Sequence, residues 1–490
     1  MSKHRRISVA VGFHMLLIAA SVLVGCRDRP GSAAPAPSHT HILVLTVDTL
    51  RADHVGHRAH GLTTTPFLDT LLASGFRFTR AVTPIPRTTQ ALASMLTGCY
   101  PHTTKVRTLY DQLSPDVVSL AELAKRQGYS TIAVVSNHVL VPRRGLNRGF
   151  DVYDFADESR DAAGTTAAAI RQLTATKPED DIFAWVHYID PHVPYYAPPE
   201  LAVQFDPAYR GRYRLHFGAV KAGIGNQAYP EDLPKARAVF RNRLPDELNA
   251  HIRKLYAAEV RHTDRQIAEL VSWVRDTLGD DWLIVFTSDH GESLGEHDFF
   301  YDHGDYVYNA TLRVPLAFVF PPGDPLGRPG SSDDRVSLLD VMPTLAELLG
   351  ISIPAGLGYD VEGRSLVPYF RGEPCPPRPA FAECGQSFFS KLIRRRTSFD
   401  VAGRFRAVLS GDWKLIWTPG QTPDLEYELY NVRADPDETA DLYAPDHPQV
   451  EELRRLLHEW VRVPTGPRAG PTPEDLKALK SLGYVGDDDD

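Results

Sequence analysis

The sequence predicts a doubly wound, mostly parallel α/β sheet flanked by helices, with a smaller α+β subdomain towards the C-terminus. Three observations predict it. Nearly continuous apolar runs rich in β-branched residues recur along the chain, and each ends in Asp or His. Segments with helical character lie between them. Beyond residue 350 the pattern changes to short strand candidates and turns rich in Asp and Pro.

The first run, Ile42-Leu43-Val44-Leu45-Thr46-Val47, lacks the polar alternation of a half-exposed strand, as expected of a strand covered on both faces. It ends in Asp48. A second, Ile182 to Val186, leads into His187-Tyr188-Ile189-Asp190-Pro191-His192, and a third, Leu283 to Ser288, ends in Asp289-His290. A weaker run at Thr131 to Val135 follows a helix-like segment, Leu120 to Gln127. In open α/β sheets ligands sit beyond the carboxyl ends of the strands, so these polar residues converge on one edge if their strands are neighbours. The C-terminal part offers strand candidates at Phe405 to Ser410 and Trp413 to Trp417, then an amphipathic segment from Val450 to Val461.

Composition narrows the function. The 490 residues carry 53 Lys and Arg against 62 Asp and Glu, a formal net charge of −9, and show no basic stripe, which argues against a nucleic-acid partner. With 43% hydrophobic and 23% charged residues the chain can bury a substantial core, which excludes a disordered or fibrous protein. Four cysteines, Cys26, Cys99, Cys375 and Cys384, have neither the density of a disulfide scaffold nor paired metal-ligand spacing.

Cys26 carries a different message. Basic residues from Lys3 to Arg6 precede an apolar run, Ile7 to Val24, that ends in Leu23-Val24-Gly25-Cys26. A charged start, a short apolar stretch and a small residue before the cut describe a secretory signal, and the terminal cysteine resembles the lipobox of bacterial lipoproteins. The alternative, an uncleaved membrane anchor, has a run of marginal length for spanning. Either reading places the rest of the chain outside the cytoplasm. The expected organisation is a signal peptide and lipobox cysteine over 1–26, a flexible Pro/Ala/Ser/Gly tether over 27–40, a catalytic domain over 41–350, a small C-terminal subdomain over 351–486 and an acidic tail over 487–490. The expected location is the cell envelope, attached by lipid to a membrane and facing the periplasm or the cell exterior.

Asp48 and the Asp289-His290 pair are the strongest chemical signals. Each carboxylate follows a buried strand, so its backbone is fixed and its side chain can reach a crevice. Two hard oxygen ligands and one imidazole suit a divalent cation such as Ca²⁺, Mn²⁺ or Zn²⁺. A lone Asp at a strand end can equally be a helix N-cap. The surrounding segments decide between these readings.

Those segments are Thr46-Val47-Asp48-Thr49-Leu50-Arg51, Leu96-Thr97-Gly98, Asp190-Pro191-His192-Val193-Pro194, Thr287-Ser288-Asp289-His290-Gly291-Glu292 and Leu312-Arg313-Val314-Pro315. They continue through Asp340-Val341-Met342-Pro343-Thr344, Trp413-Lys414-Leu415-Ile416, Glu428-Leu429-Tyr430-Asn431 and Leu476 to Val485. In this order the chain resembles the sulfatase family of the alkaline phosphatase superfamily, over nearly everything from His41 onward. The resemblance implies a hydrolase of sulfate or phosphate esters acting on a small-molecule or glycan substrate. It also implies a divalent metal, Ca²⁺ first with Mn²⁺ or Zn²⁺ open, on Asp48, Asp289 and His290. Many members carry a second Asp directly after the first, where this chain has Thr49.

The nucleophile position departs further. Sulfatases place a Cys or Ser, converted to formylglycine, ten residues before the Gly of Leu-Thr-Gly. Here that position is Thr88, without the Pro and Arg of the modification motif, so no formylglycine is expected. Superfamily members that handle phosphate esters use an unmodified Thr or Ser, which makes Thr88 the expected nucleophile. Helix-compatible residues follow it, and a helix N-terminus there favours an anionic substrate; the alternative is a simple N-cap at Thr88 or Thr89.

The resemblance further assigns His192 and His303 to contact with the substrate or its leaving group, His303 standing where relatives have Lys. His138 and Arg51 are candidate anion contacts, against a packing role for the first and a salt bridge near the strand end for the second. Lys414 and Tyr430 match family positions but read as structural, and Arg394-Arg395-Arg396 reads as a solvated loop. Two other functions share these features: transfer of a phosphoryl-type group to a lipid or glycan, and an inactive cleft that binds a sulfated glycan.

Overall fold

The computed structural model describes residues 41–59, 61–156, 160–208, 246–385, 404–419 and 426–461. The signal and lipobox over 1–26, the tether, Arg394 to Arg396, Leu476 to Val485 and the acidic tail lie outside the described residues. The central sheet is built from β1 (His41–Val47), β2 (Phe76–Val82), β3 (Ser130–Val135), β4 (Val152–Phe155), β5 (Ile182–Tyr188), β6 (Trp282–Ser288), β7 (Leu316–Val319) and β8 (Gly330–Ser337). Their spatial order is β8-β2-β7-β6-β1-β5-β3-β4. All pairings are parallel except those of β7, which runs against both β6 and β2.

The apolar runs are apolar because both faces of the sheet are covered. Along β1, Ile42 and Val44 enter one core with Phe183, Trp185, Leu283 and Val285, while Leu43, Leu45 and Val47 enter the opposite core with Ala184, Val186, Ile284 and Phe286. This split follows the two-residue period of a strand. Helix α1 (Thr88–Thr97) is buried throughout and packs on the first face with α2 (Leu120–Arg126) and α3 (Val341–Leu348). Helix α2 opens with the reciprocal cap of Ser119 and Glu122. The opposite face is covered by Ala162–Thr174 and the long helix Asp246–Leu278.

The expected doubly wound sheet is present, and β5 and β6 flank β1 directly, so the three polar strand ends do converge. Strand β5 runs two residues further than its apolar run, through His187 and Tyr188. Four antiparallel strands, Ala380–Glu383, Arg406–Ser410, Trp413–Trp417 and Tyr427–Asn431, form the small C-terminal sheet. Helix Val450–Val461 lays Val450, Leu453 and Leu457 against its Val408, Leu415 and Leu429.

Candidate active site

Register brings the two carboxylates together. Val47 is level with Ser288 across the β1–β6 pair, so Asp48 and Asp289 emerge side by side one residue later. One ligand atom each of Asp48, Asp289 and His290 falls within a 4.8 Å cluster, and all three residues are fully buried. Asp289 Oδ1 accepts from the backbone N–H of His290 at 2.7 Å and of Thr49 at 3.2 Å. Asp48 Oδ2 accepts from Asn137 Nδ2 at 2.6 Å. Asp48 Oδ1 and Asp289 Oδ2 have no hydrogen-bond partner among the described residues. His290 Nδ1 donates to Gly291 O at 2.9 Å, so its other nitrogen, Nε2, faces the carboxylates, 3.3 Å from Asp289 Oδ2.

Two orphaned buried carboxylate oxygens and an oriented imidazole nitrogen fit a divalent cation, since buried anions need such a counter-charge. The proton affinities agree. Burial opposes the charge on Asp48, but its hydrogen bond with His187 and the fields of His192 and His290 hold its carboxyl below the ordinary range. Burial and the Asp48 charge push Asp289 well above that range. Burial lowers His290 to about 4 against the pull of Asp48, which keeps it neutral and able to act as a ligand.

Thr88 is the first residue of α1, and Arg87 occupies the N-cap position without a side-chain cap. Thr88 is therefore not the N-cap. Its hydroxyl instead points into the cluster, with Oγ1 3.4 Å from both Asp48 Oδ2 and His290 Nε2. His303 packs beside the cluster, its ring centroid 4.3 Å from that of His290 and 5.0 Å from that of His192. His303 Nδ1 is 3.0 Å from Glu292 Oε1. Burial, with the fields of Asp302 and Asp48, pushes the Glu292 carboxyl well up, and burial, with the fields of His290 and Arg87, pushes the His303 imidazole well down. His192 Nδ1 donates to Val193 O at 2.6 Å. His138 feels His192 and Asp48, and burial lowers it to about 4.

Arg51 does not join the cluster. Its guanidinium is buried and pairs with the half-exposed Asp53 and with Glu296, each at 2.7 Å, which turns it away from the cluster. Ser136, directly after the end of β3, turns its hydroxyl to His187 O. Lys414 pairs with Glu438 at 2.6 Å and Tyr430 donates to Glu428 at 2.7 Å, both inside the C-terminal part.

Four residues at the site have no role assigned from the sequence. Asn137 and His187 both reach Asp48 Oδ2, at 2.6 and 3.4 Å. Glu292 holds His303. Arg87, buried beside Asp305 at 3.4 Å, places its charge near His290 and His303 and lowers both. Its position directly before Thr88 is the one sequence clue to it.

A mostly parallel sheet that delivers two carboxylates, an imidazole and a hydroxyl to one edge defines the class: an ester hydrolase of the alkaline phosphatase superfamily. The chain belongs to the sulfatase family, whose model, described as sulfatase, matches residues 40–351. A second, described as N-sulphoglucosamine sulphohydrolase, C-terminal, matches residues 295–463. The chain is 25% identical to an ulvan-active sulfatase of Formosa agariphila, over 71% of this chain and 69% of that protein. It is also 25% identical to a choline-sulfatase of Rhizobium meliloti, over 81% of this chain and 83% of that one. A solved structure in complex with its substrate D-glucosamine-2-N,6-O-disulfate superposes with a TM-score of 0.65 at 19% identity, covering 86% of this chain and 97% of the other. A phosphonate monoester hydrolase from Silicibacter pomeroyi gives 0.65 at 22% identity, covering 86% and 94%. These likenesses establish a shared fold. The protein is a sulfuric ester hydrolase-like enzyme, and its family typically uses a divalent metal.

Proposed function

We propose that this enzyme hydrolyses sulfate or phosphate esters with Thr88 as an unmodified nucleophile. The observation that carries the reading is the Thr88 hydroxyl, equidistant at 3.4 Å from Asp48 Oδ2 and His290 Nε2 on the first turn of a buried helix. A divalent cation held by Asp48, Asp289 and His290 supplies charge neutralisation to the anionic ester. Thr88 Oγ1 attacks the central sulfur or phosphorus as its proton leaves towards the Asp48 carboxylate. The bond to the leaving alcohol breaks, and that oxygen takes a proton from the His192 and His303 side of the cleft. Water then attacks the central atom of the Thr88 ester, releases sulfate or phosphate, and returns the proton to Thr88. His138 lines the anion's approach. Arg87 adds positive charge where negative charge grows.

The substrate class follows the relatives, which include enzymes named for ulvan and for choline sulfate. A small-molecule or glycan ester is the reading for this chain. The Lys3 to Cys26 pattern supports export and lipid attachment outside the cytoplasm. The test is turnover of aryl sulfate, aryl phosphate and aryl phosphodiester by residues 27–490 across a metal series. Thr88→Ala is expected to lose at least about 10³-fold in kcat while Thr88→Ser retains measurable activity. Full activity in Thr88→Ala would remove the nucleophile. No turnover of any ester under any metal favours a binding cleft instead.

A further inference from the structure

Away from the reaction centre, an open cleft of about 250 Å³ lies at the seam between the central sheet and the C-terminal sheet. None of Asp48, Thr88, Asp289, His290, His192 or His303 lines it; four arginines do, Arg80, Arg313, Arg335 and Arg433. Arg80 on β2 and Arg335 on β8 are register partners, so their side chains leave the same face of adjacent strands. Like charges placed opposite each other in a sheet repel and destabilise the pair. Arg313 joins them through the bridge of its backbone to Val82, two residues beyond Arg80.

The local acids fall short of balancing this charge. Asp412 pairs with Arg80 at 2.9 Å, and Asp333 pairs with Arg433 at 2.7 Å. Arg433 also lies 3.8 Å from Asp412, so among the described residues two carboxylates pair with the arginines of this group. Arg335 is the least compensated. It is only 8% exposed, one of its terminal nitrogens donates to Gly411 O at 2.9 Å, and its buried Nε has no hydrogen-bond partner among the described residues. Burial, with the neighbouring charges of Arg80 and Arg313, lowers its proton affinity to about 9. A chain with a formal net charge of −9 has gathered surplus positive charge around one buried, partly unsatisfied guanidinium.

We propose that this cleft is a second anion site, which holds a tetrahedral oxyanion, sulfate or phosphate, between Arg80, Arg313, Arg335 and Arg433. Planar guanidinium groups meeting from two adjacent strands and two neighbouring loop positions can each direct paired N–H donors at such an ion, and the ion removes the repulsion between Arg80 and Arg335. The oxyanion comes either from solution or as a further ester group on a polyanionic substrate. The site does not depend on Thr88 or on the metal centre, and its test reads binding, so it stands apart from the reaction proposed above.

The experiment measures the thermal midpoint of the metal-loaded full chain against sulfate concentration, with ionic strength held constant by chloride. Sulfate is expected to raise the midpoint, and Arg433→Gln to raise the half-saturating concentration about fivefold. Arg433 is largely exposed, so this variant retains the fold; Arg335→Gln, which is buried, is expected to abolish the response. Asp289→Asn, made as a control for binding at the reaction centre, is expected to leave the Arg433-dependent response in place. Superimposable curves for wild type and Arg433→Gln would overturn the proposal, as would a response that vanishes in Asp289→Asn alone. A second arm titrates a polysulfated oligosaccharide in place of the salt. Tighter binding per sulfate that is lost in Arg433→Gln assigns the site to substrate-borne esters, and equal binding assigns it to the free ion.

Discussion

Asp48 and Asp289 stand level with each other at the ends of neighbouring parallel strands, one residue beyond the register pair of Val47 and Ser288. Backbone donors occupy Oδ1 of Asp289 and the Asn137 amide occupies Oδ2 of Asp48, which leaves the two remaining oxygens for the divalent ion proposed above. Asp289→Asn keeps the shape and the accepting oxygen but removes a charge. Its affinity for the divalent ion, read by calorimetry, is expected to fall about 100-fold, and the metal-dependent rise in thermal midpoint to shrink with it. Unchanged metal content in this variant would remove Asp289 from the ligand set.

How much of this was legible follows from what each residue depends on. Asp48, Asp289 and His290 end long apolar runs, and a strand buried on both faces announces its end sharply in the sequence. Strand β7 is different. Leu316 to Val319 is not singled out as a strand, because a run of four apolar residues after Pro315 is too short to stand out and carries no information about direction; β7 runs antiparallel. His187 is hidden because the apolar run stops at Val186 while the strand continues to Tyr188; its ring lies against Thr46 Oγ1 at 2.9 Å through cross-strand register alone. Arg87 is hidden for a stronger reason. Its burial depends on Asp305 and on two glycines more than 200 residues away in the chain, and no local pattern encodes such a partnership.

One of those glycines is a sensitive point. Gly304 has φ +89°, and a Cβ there would lie 1.8 Å from Arg87 Nε. Gly304→Ala must therefore displace Arg87, which precedes Thr88, while straining the backbone next to His303. The expected result is a loss of about 2 kcal/mol of stability together with at least a tenfold fall in kcat/KM. Thermal denaturation and steady-state kinetics on an aryl ester measure the two effects. A variant with wild-type activity would show that Arg87 and His303 need not be held where they are.

Thr49 offers the opposite kind of change. It is β-branched yet held at φ +55°, and its buried hydroxyl has no hydrogen-bond partner among the described residues. Asp tolerates that backbone region better than Thr, and many sulfatases place an acid at this point. Thr49→Asp is expected to bind the divalent ion about tenfold more tightly while lowering the thermal midpoint of the metal-free protein, because a third carboxylate then joins Asp48 and Asp289. Metal titration by calorimetry and metal-free melting separate the two effects. A variant that gains no affinity would show that position 49 faces away from the ion.

The last prediction concerns a pair of buried acids outside the cluster. Asp190 and Glu259 share a side-chain hydrogen bond, and Glu259 also accepts from Tyr196 N at 3.0 Å. Burial raises Asp190 to about 6, and burial together with the Asp190 charge pushes Glu259 well above its ordinary value. Both groups lose protons more readily in the unfolded chain than in the folded one. Their contribution is fully present below pH 4 and is lost as pH rises through about 6 for Asp190 and higher for Glu259. Glu259→Gln retains a donor for Asp190 and cannot ionise, so it is expected to escape part of that loss. Relative to wild type, its thermal midpoint should improve between pH 5 and pH 8, by the equivalent of about 1–3 kcal/mol. Melting curves at the two pH values check this, and an identical pH dependence in the variant and the wild type would show that the pair already ionises freely in the folded protein.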